Sequence, residues 1–369
     1  MRKGYTTGTC AQAAAKAAVM MLTSAKIVKN VEIETASAVK INLGLIDQEK
    51  GADFAKCAVI KDSGDDPDIT NGAKIYAEVK FSQTPGITLR GGRGVGKVTR
   101  PGLAVNVGEY AINPIPRQMI IGEVLPFLSY IDTNSEKKGF EVIISVPQGE
   151  ELAKQTFNPR LGIEGGISII GTTGIVQPKS LDAYKASLSL QLDVLKASGK
   201  KKVALVLGYV GEKFCKETLG LEDDSIVKIG DHVGFMFEEC ARKGIKDVFF
   251  AGHIGKLAKV ANGQFNTHCQ FGDARLDTIA QYAKLLGASE SVIQEISVQK
   301  TAEAAIEILK KNNLSETFSR LAEAVIEKID GLVKGVLNIH CYVLSLDGTL
   351  LAAGNGRGRS LLAKPYSYE

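Results

Sequence analysis

From Lys202 to Lys256 the chain reads KVALVLGYVGEKFCKETLGLEDDSIVKIGDHVGFMFEECARKGIKDVFFAGHIGK, and this stretch decides the fold. Three short apolar runs, Lys202–Leu207, Val227–Ile229 and Val248–Ala251, are separated by segments of helical length, of which His232–Lys243 is the clearest. Continuous apolar runs of this length, with Gly nearby, read as buried strands. Strands alternating with helices imply an α/β domain with a parallel, doubly wound sheet. Ligands of such sheets lie beyond the carboxyl ends of the strands. Gly208 and Gly211 of GYVG, Asp231 and His253 of GHIGK fall at those ends, and they are the candidate cofactor-binding residues. The first turn lacks the full GxGxxG, which disfavours a dinucleotide, while Asp231 stands where an acid gripping a ribose diol is expected.

Working outward, Leu181–Ala197 reads as an amphipathic helix before the first strand. After the third come QFNTH (Gln264–His268), helices near 273–286, 301–312 and 315–329, and a hairpin across Gly335–Gly354. The hairpin is expected to turn at Asp347-Gly348, because Asp-Gly favours a tight turn. The tail carries Arg357 and Arg359 and reads as a mobile basic end. With 369 residues the chain exceeds what one core supports. Two domains are expected, over 1–178 and 179–369, the second of them α/β.

The first domain has its own marked stretch, RGGRGVGKVTRPG from Arg90 to Gly102, in which five of thirteen residues are glycine. Arg90, Arg93, Lys97, Arg100 and Arg117 are basic, and Glu109 is the only acid between Arg90 and Gln118. Glycine permits positive φ or close approach, and Arg grips carboxylates or phosphates with a two-pronged fork, so an anionic ligand is indicated. Upstream, Gly4–Leu22 joins a TTGT start, a helix N-terminus suited to an anion, to an alanine-rich helical run. Val31–Leu45, Ala55–Ile60, Ala73–Phe81 and Val142–Val146 read as strands. KDSGDDPDITNG (Lys61–Gly72) resembles a calcium loop but lacks its glycine, and Ala73 stands where the closing Glu belongs. Carboxylates this crowded are expected to raise the pKa of one of them, which suits proton transfer. Asn158–Pro178, rich in Gly, Ile and Val, reads as an ordered crossing between the domains.

A net charge of +4 argues against a general nucleic-acid surface and makes the local basic cluster more informative. Six dispersed cysteines without a CxxC pair indicate reduced thiols and a cytoplasmic protein. No stretch approaches a membrane span, and Lys16 interrupts the only apolar run near the start.

Together these motifs resemble one family. GYTTGTCAQAAAKAA, DSGDDPD, GGRGVGKVTRPGLAV with INPIPR, NPRLGIEGGISIIGTTGIV and AGHIGKLAKVANGQFNTH, spread over residues 4–268, are similar to the cobalt-precorrin-5B C1-methyltransferases of anaerobic cobalamin biosynthesis. Asn71 departs from the histidine found in many relatives. The resemblance implies methyl transfer from S-adenosylmethionine to C1 of a corrinoid, giving cobalt-precorrin-6A, with cobalt carried by the substrate and no protein metal site. It also implies an α+β N-terminal domain followed by a Rossmann-like α/β domain. On that footing the basic residues 90, 93, 97, 100 and 117 meet the acetate and propionate groups of the macrocycle. Asp65 and His268 become the acid–base candidates, expected to converge in a cleft between the domains.

Two other classes stay open at this level. A small-molecule kinase would use GGRGVGK for phosphates, although Val98 replaces the Ser or Thr of a P-loop. A nucleic-acid module would use the basic loop, which has no interleaved aromatics. The oligomeric state is open, a homodimer included.

Overall fold

The chain divides into two units, Met1–Ala183 and Tyr184–Glu369. A computed structural model describes residues 1–24, 26–131, 136–178 and 180–356, so Arg357 and Arg359 lie outside the described residues.

The first unit begins with β1 (Gly4–Tyr5), α1 (Thr7–Thr23), β2 (Asn30–Glu34), β3 (Lys40–Gly44), β4 (Ile46–Lys50) and β5 (Phe54–Ile60). It continues with β6 (Lys74–Ser82), β7 (Gly86–Gly91), β8 (Gly94–Val95), β9 (Lys97–Val98), α2 (Pro114–Val124) and β10 (Gly139–Ser145). Its last elements are α3 (Gly149–Ala153), β11 (Ile163–Glu164), β12 (Gly166–Ile167) and β13 (Ile175–Val176). A five-stranded sheet runs in the order β4-β5-β6-β10-β7, antiparallel except for the β10–β7 pair. The alanine run of α1 is buried all round its circumference, as a central packing helix must be. Its small side chains let β5 approach so closely that the Cys57 thiol donates to the Ala14 carbonyl at 3.3 Å.

Three expectations are corrected here. Val31–Leu45 is a hairpin, β2 on β3, because Ala38 turns the chain at φ 59°. Asn158–Pro178 is no crossing between domains: β11, β12 and β13 pair with β9, β8 and β1, so the segment is stitched into the first unit. The TTGT helix start is not an anion site. Gly8 N–H donates to the Ile170 carbonyl, Thr9 N–H to the Thr6 hydroxyl and Cys10 N–H to the Thr6 carbonyl. Those amides are spent within the chain.

The second unit holds α4 (Leu181–Ala197), β14 (Lys202–Leu207), α5 (Tyr209–Glu217), β15 (Ile226–Lys228), α6 (Val233–Lys243) and β16 (Asp247–His253). There follow α7 (Ile254–Ala261), α8 (Arg275–Leu285), α9 (Glu290–Ser297), α10 (Ala302–Lys311), α11 (Glu316–Val333), β17 (Asn338–Leu344) and β18 (Leu350–Asn355). The strand order is β15-β14-β16-β17-β18, parallel throughout except for β18, the returning arm of the hairpin read at Asp347-Gly348. This is mixed α/β architecture built on parallel strands. Alternate residues of β14 serve two cores. Val203, Leu205 and Leu207 pack with residues of α6, α7 and α11, whereas Ala204 and Val206 pack with Phe214 and Cys215 of α5.

Among the described residues no helix is long and apolar enough to cross a membrane. All six cysteines are free, and only Cys269 is exposed.

Candidate functional site

In the first unit the glycines of the basic loop are consumed by packing. A Cβ on Gly91 would strike the Tyr110 ring, one on Gly94 the Val146 carbonyl, and one on Gly96 the Ile163 side chain. Gly94 needs its freedom twice, since its φ is +73°. The loop amides are also taken: Gly92 N–H donates to the Ile144 carbonyl, Gly96 to Ile167, Val98 to Glu109 and Thr99 to Gly162. What the loop presents outward is therefore side chains. Arg93 and Lys97 are exposed, and the Lys97 ammonium sits 5.0 Å from the Tyr110 ring centroid. Arg90 pairs with Glu141 at 3.2 Å. Arg100 lays its aliphatic stem on Gly162, and Arg117 is half-buried on α2. Neither Arg93 nor Arg117 has an ion-pair partner among the described residues.

The Asp-rich loop clamps the N-terminal segment. Asp62 takes a two-pronged salt bridge from Arg2, while Asp65 accepts the Arg2 N–H at 2.5 Å and returns its own N–H to the Arg2 carbonyl at 3.0 Å. Asp65 is itself exposed. Behind it Lys61, only 2% exposed, donates to Ser63 Oγ at 2.5 Å and to Asp68 Oδ2 at 2.6 Å. The expected raised carboxyl pKa is overturned where a shift is resolved. Arg2 holds Asp62 below the usual range. Burial works to raise Asp68, but the Lys61 ammonium and the Thr70 donors outweigh it and hold that group low too. The neighbouring cations decide the sign, since opposite charge favours ionisation.

In the second unit a cluster forms at the carboxyl end of the sheet. Gly208 closes β14 at φ +92°, with open space where a Cβ would stand. Asp231, just past β15, accepts from the Thr267 hydroxyl at 2.6 Å and from the Lys256 ammonium at 3.0 Å, both on Oδ1. Its Oδ2 accepts no hydrogen bond from the described residues. Burial works to raise this carboxyl, yet Thr267 and Lys256 together hold it low. His232 packs against Tyr184 with ring centroids 5.5 Å apart. Burial, then Lys185, pushes His232 below its ordinary pKa.

Two histidines take capping positions. His253 Nδ1 accepts the Gly255 N–H at 3.2 Å, and its Nε2 meets Glu303 Oε1 at 2.8 Å. His268 Nδ1 likewise accepts the Gln270 N–H at 3.2 Å. A neutral imidazole that accepts on Nδ1 carries its proton on Nε2. In this arrangement both rings are donors through Nε2. Gly211 lies inside α5, where a Cβ would stand 2.5 Å from the Ala251 carbonyl oxygen, so the close approach it permits is helix to sheet.

Sequence reasoning missed Lys256, Thr267 and the buried Lys259, whose ammonium donates to the Thr267 and Gly272 carbonyls at 3.2 and 3.1 Å. Lys256 and Lys259 share one face of α7, a spacing of three residues that the sequence does carry. Among the described residues no group of three or more His, Cys, Asp or Glu side chains could hold a metal ion.

The first unit thus presents an outward-facing basic loop, and the second an acid-bearing cluster at its strand ends. Residues 1–178 match the CbiD family model and residues 266–355 match that of the CbiD C-terminal domain. A cobalt-precorrin-5B C(1)-methyltransferase of Thermoanaerobacter sp. (strain X514) is 44% identical over 354 residues, 95% of each chain. One from Alkaliphilus metalliredigens is 40% identical, covering 98% of this chain and 94% of that one. A crystal structure of cobalamin biosynthesis protein (cbiD) from Archaeoglobus fulgidus is 29% identical, with a TM-score of 0.37 over 72% of this chain and 82% of that one. The chain belongs to the cobalt-precorrin-5B C(1)-methyltransferase (CbiD) family.

Proposed function

We propose that this chain transfers a methyl group from S-adenosylmethionine to C1 of cobalt-precorrin-5B, giving cobalt-precorrin-6A. The observation that carries the reading is full-length kinship at 40–44% identity with relatives bearing that name. The parts fit the chemistry. When bound, the donor supplies a methyl on a sulfonium, which an in-line displacement moves without a protein nucleophile. The chain has to hold two ligands in line and keep water out. The Rossmann-like, doubly wound reading of the second unit belongs to this proposal. Its support is the parallel order β15-β14-β16-β17 and the burial of both faces of β14.

Residues 90, 93, 97, 100 and 117 are assigned to the carboxylates of the macrocycle, with Arg93, Lys97 and Arg117 the most available. Donor contacts are assigned to Gly208, whose Cα is open to close approach, and to Asp231, which stays ionised and keeps Oδ2 for a ribose hydroxyl. Gly211 sets the height of α5 over the sheet, and His253 fixes the end of β16. Cobalt enters as part of the substrate, and the location is cytoplasmic. The kinase alternative loses its ground, because the loop amides that would cradle phosphates are bonded to carbonyls of the chain.

Calorimetry on two variants separates the assignments. Arg93→Ala should weaken corrinoid binding by about 1–3 kcal/mol and leave donor affinity unchanged, the size of one charged hydrogen bond. Asp231→Asn should show the reverse pattern. Unchanged affinities in both would remove the site assignment.

Asp65 and His268 remain the acid–base proposals, now with different weights. His268 directly follows Thr267, whose hydroxyl donates to Asp231, so it is the acid–base candidate set beside the proposed donor site. Asp65 is tied to the Arg2 backbone. In single-turnover assays with both ligands saturating, His268→Ala should slow methyl transfer more than Asp65→Asn. A slowing of less than about threefold, under roughly 1 kcal/mol of barrier, in both variants would mean that positioning alone carries the step.

A further inference from the structure

We propose that the groove between α5 and the β17–β18 turn binds the amino-acid end of the methyl donor, with Asp347 meeting its ammonium and Lys213 its carboxylate. This inference rests on the donor reading of the second unit. The groove is about 230 Å³ in volume, and Tyr209, Lys213, Phe214, Leu346 and Asp347 line it. Tyr209 and Leu346 are 73% and 64% exposed, large apolar groups left uncovered on its walls. The opposed charges make it suited to a zwitterion. Among the described residues Lys213 has only a loose partner, Glu217 at 3.9 Å. Asp347 uses Oδ1 to accept from the Ser345 hydroxyl and from the Thr349 N–H at 3.0 Å. Those bonds hold its carboxyl at about 2, so it is ionised at any working pH.

Position supports the same occupant. In the order β15-β14-β16-β17, Asp231 follows β15 and the groove lies beside the turn that follows β17. Neighbouring strands are about 4.8 Å apart, so the two ends are separated by three strand steps, roughly 14 Å. Gly208 lies on the path between them, its Cα unobstructed. A ligand with its nucleoside on Asp231 therefore lays its tail across Gly208 and into the groove. The exposed Tyr209 ring stands beside that path, and aromatic faces attract cations such as a sulfonium. The turn is held in place from below, since Glu303 Oε1 accepts the Leu346 N–H at 2.6 Å and meets His253 Nε2 at 2.8 Å.

The test compares S-adenosylhomocysteine with 5′-methylthioadenosine, which lacks the amino-acid end, by calorimetry with and without corrinoid. The double variant Asp347→Asn, Lys213→Met should bind S-adenosylhomocysteine at least tenfold more weakly and methylthioadenosine as the parent does. Unchanged S-adenosylhomocysteine affinity, or an equal loss for both ligands, overturns the groove assignment while the methyltransferase reading stands. A parent protein that binds neither ligand under either condition overturns the donor reading itself.

Discussion

Gly94→Ala is expected to destabilise the first unit by about 3–5 kcal/mol, combining a strained backbone with overpacking. At φ +73° a side chain is strained before any contact is counted. Its Cβ would collide with the Val146 carbonyl, and Gly149 offers no relief, because a Cβ there would run into Gly94. The two glycines form one interlock that sets where Arg93 and Lys97 emerge. Urea unfolding monitored by circular dichroism gives the number. A loss below about 1 kcal/mol would mean that the loop yields easily, and that its glycines serve something other than packing.

The second large effect concerns Lys61. Removing one member of a buried ion pair costs about 3–5 kcal/mol, and because Asp68 is 26% exposed the expectation for Lys61→Met is lower, about 2–3 kcal/mol. The pair also predicts an acid limb. Asp68 has a folded pKa below its unfolded value of about 3.9, so both states are ionised at neutral pH and the full contribution is present. As pH falls from about 5 through the folded value, the unfolded chain binds its proton first and that stability is lost. Parallel unfolding curves for the parent and Asp68→Asn should converge as the solution is acidified. Curves that stay equally separated would show that Asp68 does not titrate against Lys61. Asp62 shifts in the same direction, but at the surface.

Much of the second unit could be read from residue order, because buried parallel strands announce themselves as apolar runs and Asp-Gly marks its turn. The first unit was harder for an identifiable reason. A glycine that admits a ligand and a glycine that admits another part of the chain look alike in sequence, and Gly91, Gly94 and Gly96 are of the second kind. The Asp-rich loop misled in the same way. Like charges in a row suggested repulsion, whereas Arg2 lies 60 residues away from Asp62 in sequence and neutralises it only in the fold. Asp231 was found from its place after a strand, but its partners Lys256 and Thr267 are 25 and 36 residues on. They become visible only once α7 packs back beneath the strand ends. The helix α2 was legible in principle, since INPIPR sets Pro114 at its first position, where a missing N–H costs nothing.

The central claim is methyl transfer to one ring carbon, and an isotope-labelled methyl tests it most directly. The purified chain is incubated with cobalt-precorrin-5B and S-adenosylmethionine carrying the label, and the corrinoid product is read by NMR. The account predicts one label per macrocycle, on C1, with an equivalent of S-adenosylhomocysteine released. Label at another ring position, or no transfer while both ligands are bound, would contradict it.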